Sequence, residues 1–193
     1  QEAARKLRMT TSKTMSVAQK LYEGVEMGPE GSVGLITYMR TDSVHLSADA
    51  VKAARDYIGA TFGADFVPPS APQYKSGKSA QEAHEAVRPT DLAWTPERAK
   101  KFLSKDELGL YQLIWNRFLA SQMSPAVVEQ TRIEAAPDKG RYTFAATGQV
   151  MRFAGFLVLY EEGKDDEEEN GDEKKKKEGA KEDEARLPPV EVG

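Results

Sequence analysis

Apolar positions recur at helical spacing through the first two thirds of the chain, and the pattern changes after Pro125. Gln1 to Arg8 is rich in helix formers and reads as a helix end. Thr11 or Ser12 caps a second helix, with Met15, Ala18, Leu21, Tyr22 and Val25 on one face. Gly24, Gly28, Pro29 and Gly31 end it in a loop, and Val33 to Tyr38 (VGLITY) reads as a short buried strand. Ser47 caps a helix from Ala48 to about Phe62, with Val51, Ala54, Ile58 and Phe62 facing the core. A Pro-, Gly- and Ser-rich loop follows, then a short helix over Ala80 to Val87 that Pro89 stops. Thr95-Pro96 opens another helix. Ser104 and Glu107 have capping-box spacing and start a long helix to about Met123, with Leu110, Leu113, Ile114, Phe118 and Leu119 as its core face. Val127 to Ala135, Arg141 to Ala146 and Val150 to Tyr160 read as strands, the first two joined by a turn at Pro137 to Gly140. Leu187 to Val192 is a further candidate strand. The pattern predicts an α+β protein, with a helical domain over 1–124 and a partial β domain over 125–193.

With 193 residues, 39% of them hydrophobic, the chain can bury a core. It has no cysteine, which excludes disulfides and cysteine-based zinc sites within this stretch. No apolar run is long enough to cross a membrane, and no signal peptide is visible. The chain does not begin with Met and opens inside a helical pattern, so a piece of a longer protein is expected. The net charge of −4 argues at first against nucleic acid. It is an average of two unlike regions: 161–185 holds 13 acidic residues and 6 lysines, which leaves the remainder at +3. The acidic segment is low in apolar residues and reads as a disordered or extended insertion. Its bolder reading is a DNA mimic or a partner-binding tract.

Two polar clusters could carry chemistry. The first is Thr37-Tyr38-Met39-Arg40-Thr41-Asp42-Ser43, at the end of the expected strand. A tyrosine hydroxyl titrates near ~10, so it attacks phosphorus only where a cation stabilises the developing charge. Arg40 is two residues on, which in extended backbone puts it on the same side as Tyr38, and a guanidinium grips phosphate with two hydrogen bonds. Asp42 continues that face and could orient Arg40. From spacing alone, a surface tyrosine beside an ion pair is the commoner meaning of such a cluster. The second cluster is Gln81 to Thr90 (QEAHEAVRPT). On a helix His84 and Arg88 share a face. His84 could donate to a phosphate or move a proton, although a lone histidine is more often a capping or surface residue. Glu82 and Glu85 with one histidine are weak grounds for a metal site, and His45 reads as a loop residue without a role.

Together, GLITYMRTDS (Gly34 to Ser43) and SAQEAHEAVRPTD (Ser79 to Asp91) resemble the active-site signatures of the bacterial type IA DNA topoisomerases. Gln1 to Gly24 is similar to that family's helical lead-in, and Leu110 to Ala126 to the helix leaving the domain. The likeness covers nearly the whole chain outside the acidic insertion. It implies a winged-helix-like catalytic domain with strands of a β-rich arch domain. It implies that Tyr38 attacks a phosphodiester of single-stranded DNA, forming a 5′-phosphotyrosine, and that strand passage and religation then relax negatively supercoiled DNA without ATP. Arg40 and His84 would contact DNA phosphates as catalytic residues, with Asp42 and Arg88 supporting them. The resemblance also implies a Mg²⁺-binding toprim domain N-terminal to the matched region. No counterpart of it is found here, so this chain should hold no metal, require the rest of the parent topoisomerase as partner, and be inactive alone. A cytoplasmic, nucleoid-associated bacterial isomerase is the implied setting. The loop Glu26 to Ser32 is longer than the family's usual link, which reads as a surface bulge. The alternative is a catalytically inert DNA-binding or scaffold module. A tyrosine recombinase fits less well, because such enzymes carry their tyrosine late in the chain, after the Arg and His groups.

Overall fold

A computed structural model of the chain describes residues 1–75, 84–136 and 142–160. Helices and strands are mixed, and the chain divides into two compact units. The first comprises Gln1–Ser124 and the described residues from Phe156 onward, and the second the described residues of Pro125–Gly155.

The first unit is built on helices: α1 (Glu2–Leu7), α2 (Thr11–Glu23), α3 (Ala48–Phe62), α4 (Pro96–Ala99) and α5 (Lys105–Ala120). Their starts follow local chemistry. Ser47 and Thr95 each accept a backbone N–H of the first turn, from Ala50 and Arg98. The cap of α2 is Thr10, one residue before the expected position, and it accepts from Lys13. At α5 the capping box closes both ways: Ser104 Oγ accepts from the Glu107 N–H and Glu107 Oε2 accepts from the Ser104 N–H. The other four helices all pack on α5, which buries Leu110, Tyr111, Trp115, Phe118 and Leu119. Leu113 and Ile114, also expected on that face, are only partly buried. Tyr111 is fully enclosed, and its hydroxyl donates to Trp94 O at 2.7 Å.

Two sequence expectations change here. Val33 to Tyr38 is not one strand. A two-residue pair, β1 (Val25–Glu26) with β2 (Ser32–Val33), forms a small antiparallel hairpin around a 3-10 turn at Gly28–Glu30, with Met27 buried. This hairpin is the form taken by the extended Glu26 to Ser32 link. The chain then runs through Leu35 and Ile36, both buried, to a single bridge between Ile36 and Pro89. Proline has no N–H to donate, so the ladder cannot propagate through this point. The helix expected over Ala80 to Val87 is also absent from its described part. Residues 84–87 are irregular, and 80–83 lie outside the described residues. Pro89 disfavours helical backbone at Arg88, and the polar groups of this segment bond to its neighbours instead.

The second unit is an antiparallel pair, β3 (Val127–Ala135) and β4 (Phe144–Phe153), in register from Val128↔Met151 to Ala135↔Phe144. One continuous β4 replaces the two separate strands expected over Arg141 to Tyr160, because Gly148 pairs opposite Thr131 without a break. Gly155, at φ 50°, turns the chain into a 3-10 segment, Gly155–Val158, where a strand was expected. The expected turn at Pro137 to Gly140, the acidic insertion and the candidate strand Leu187 to Val192 lie outside the described residues.

Candidate active site

The link from α2 to the Tyr38 segment is tightly tied. The Leu35 N–H donates to Leu21 O at 2.7 Å, at the end of α2, and Thr90 Oγ1 donates to Gly34 O at 2.7 Å. Thr37 then joins the two motifs. Its N–H donates to Arg88 O at 2.9 Å, its hydroxyl donates to Ala86 O at 2.8 Å, and it accepts from the Arg88 N–H at 3.0 Å. On the far side of the second motif, the Ala86 N–H donates to His45 O at 2.8 Å. Residues 84–90 are thus held between the Gly34–Thr37 segment and the loop leading into α3, although the motifs lie some fifty positions apart in sequence.

This lacing brings Tyr38 and His84 to one place, with ring centroids 5.9 Å apart. Tyr38 is 42% exposed, and its ring also meets Tyr22 of α2 edge-on at 5.4 Å. Tyr22, Tyr38, His84, Glu85 and Thr90 line an open cavity of about 480 Å³. Met39 is buried while Tyr38 and Arg40 on either side of it are exposed, with the backbone bent at Met39 and Arg40. Arg40 is not among the cavity-lining residues, and neither a hydrogen bond nor an ion pair joins it to Asp42 among the described residues.

Arg88 does not share a helix face with His84. Its guanidinium instead grips Glu85, Nη2 to Oε2 at 2.8 Å and Nε to Oε1 at 3.3 Å, while Nη1 donates to Pro89 O at 2.9 Å. Glu85 Oε1 also accepts the Ser47 N–H at 2.7 Å, at the start of α3. Burial alone would raise the Glu85 carboxyl, but the Arg88 guanidinium and the Ser47 backbone hold it below the usual range. Sequence reasoning missed three participants. Tyr22 was assigned to the apolar face of α2, Thr37 had no role, and Glu85 was weighed only as a metal ligand. Among the described residues no group of three or more His, Asp or Glu side chains could hold a metal ion. Glu82, the other acidic candidate, lies outside them.

The site thus sets a half-exposed tyrosine beside a histidine at the lining of one open cavity. A family model described as DNA topoisomerase matches residues 1–192. The DNA topoisomerase 1 of two Xylella fastidiosa strains is 52% identical over 166 residues, covering 86% of this chain and 20% of the relative. The full-length topoisomerase I of Thermotoga maritima is similar in structure, with a TM-score of 0.69 and 41% identity over 84% of this chain and 27% of that one. The chain belongs to the bacterial type I DNA topoisomerases, which are isomerases. It spans about a fifth of the length of the curated relatives it matches. No helix among the described residues is long and apolar enough to cross a membrane.

Proposed function

We propose that this chain carries the DNA-cleaving tyrosine of a type IA topoisomerase and that Tyr38 is the nucleophile. Tyr38 Oη gives up its proton and forms a bond to the scissile phosphorus of single-stranded DNA. The bond from phosphorus to the 3′ oxygen breaks, and that oxygen takes up a proton and leaves as a 3′-hydroxyl. The product is a 5′-phosphotyrosine, and the exchange of one phosphoester for another conserves the bond energy that religation uses. A neutral phenol is a poor nucleophile, so the transition state needs cationic help. Arg40, on the exposed side of the chain with Tyr38, grips the phosphate through its guanidinium. His84 donates to a phosphate oxygen or takes part in proton transfer. Arg88 serves its own segment, through the Glu85 carboxylate and the Pro89 carbonyl, rather than DNA, and Asp42 lies beyond Arg40 and is exposed like it.

The observation that carries this reading is the meeting of Tyr38 with His84 at the open cavity, two residues from separate motifs brought within 5.9 Å. The cavity is of the size that holds a nucleotide-sized group. No residue of this chain is assigned to a metal. The Mg²⁺ dependence of relaxation, strand passage and the preference for negatively supercoiled DNA are proposed for the full-length enzyme. The test is covalent-adduct formation on a labelled single-stranded oligonucleotide by the full-length enzyme and by its Tyr38→Phe variant. The variant is expected to bind the oligonucleotide yet form no adduct and relax no DNA. An adduct formed by the Phe variant would remove Tyr38 from the role.

A further inference from the structure

We infer that Glu85 is a positioning residue for strand cleavage, acting through His84; this rests on the reading of Tyr38 given above. His84 stands on irregular backbone, so no helix or ladder fixes its place. Beside the bonds from Thr37 and from the Ala86 N–H to His45 O, the adjoining carboxylate anchors that backbone. Glu85 reaches the Ser47 N–H at 2.7 Å, which ties the His84 segment to the start of α3, and Arg88 Nη2 at 2.8 Å, which braces the strap of residues 84–90 at the residue whose backbone bonds Thr37. Thr37 in turn is the neighbour of Tyr38. One carboxylate therefore fixes the segment bearing the histidine on α3 and braces the residue through which it meets the tyrosine's neighbour.

The alternative, that Glu85 exchanges protons with substrate, fits poorly with its bonding. Both carboxylate oxygens are taken, one by Arg88 and one by Arg88 and the Ser47 N–H together. Charge-assisted hydrogen bonds of this kind are strong and keep a carboxylate ionised. Arg88 is 15% exposed in its side chain, so removing Glu85 leaves a largely enclosed cation whose one remaining side-chain partner among the described residues is the Pro89 carbonyl. The strap would relax and carry His84 with it. Small displacements of a group that must meet a reacting phosphate cost roughly 100-fold in rate.

The experiment is single-turnover cleavage of a single-stranded oligonucleotide by the full-length enzyme, with DNA affinity and thermal midpoint measured alongside. The proteins are wild type, Glu85→Gln, Glu85→Ala, His84→Ala and the double variant His84→Ala/Glu85→Ala. Glu85→Ala is expected to cleave roughly 10- to 100-fold more slowly with DNA affinity little changed. Glu85→Gln should lose less, because its amide oxygen still accepts the Ser47 N–H. The double variant should be no slower than His84→Ala, since a residue that acts through His84 has nothing left to position. Losses that multiply in the double variant overturn the inference, as does wild-type cleavage by either Glu85→Ala or His84→Ala. If Glu85→Ala does not fold, Glu85→Gln carries the same cycle. An adduct formed by Tyr38→Phe would sink the nucleophile assignment whatever Glu85 does, whereas Tyr38-dependent cleavage with multiplying losses sinks only this inference.

Discussion

Gly34 sits where a side chain has no room: a Cβ built there would lie 2.6 Å from the Tyr22 carbonyl oxygen. The obstacle is backbone, so the neighbour cannot rotate away. Gly34→Ala is expected to cost about 1–3 kcal/mol by overpacking and to push the Tyr38 segment off the end of α2. A fall in thermal midpoint with slower cleavage checks this, and an unchanged midpoint refutes it. At this scale the sequence was legible where chemistry is local. The exposure of Tyr38 and Arg40 on either side of a buried Met39 agrees with the alternation read from the sequence. Tyr22 was not legible, because helical periodicity assigned it to a core face, yet it stays 40% exposed and meets Tyr38. Nor was the bonding of Thr37, since nothing in a sequence says that a hydroxyl at 37 will find the carbonyl of residue 86.

Among the elements, capped helices were read most closely. Ser47, Thr95 and Ser104 each cap where expected, because a cap depends on residues within one turn. The segments around the site were read least well. An apolar run and the described end of a helix-forming run became two irregular straps, because Pro89 limits their pairing to one bridge and the Glu85–Arg88 pair replaces helical bonding. That pair also gives the strap a pH dependence. The Glu85 carboxyl is depressed in the folded protein, so its contribution is present above the ordinary value of 4.5 and lost as pH falls through the depressed one. The thermal midpoint of wild type should exceed that of Glu85→Gln at neutral pH, and the gap should close as pH drops below 4.5. His84, His45, Asp42 and Arg88 are common to both proteins and cancel in the comparison. A gap that stays constant or widens in acid would contradict the carboxylate's role in holding the strap.

For the whole molecule, the mixed helix–strand class was legible from the change in periodicity after Pro125, while the return of Phe156 to the first unit was not. That return depends on Gly155 turning the chain and on the Phe156 N–H donating to Ser124 O, a contact no local pattern announces. Charge is informative only when divided. The chain is −4 in total, but +3 outside the acidic stretch of 161–185, so the total does not argue against phosphate contacts by the rest. Single-stranded DNA binding by the full-length enzyme is expected to weaken steadily with added salt, as released counterions require. Affinity independent of salt would mean that contacts other than phosphate dominate. The central claim, that Tyr38 becomes joined to the 5′ side of the broken strand, is tested most directly by trapping the enzyme on a single-stranded oligonucleotide, digesting it, and locating the modified residue by mass spectrometry. The account requires a nucleotide linked through its 5′-phosphate to Tyr38. A 3′-phosphate linkage, or an adduct on any other residue, would contradict it.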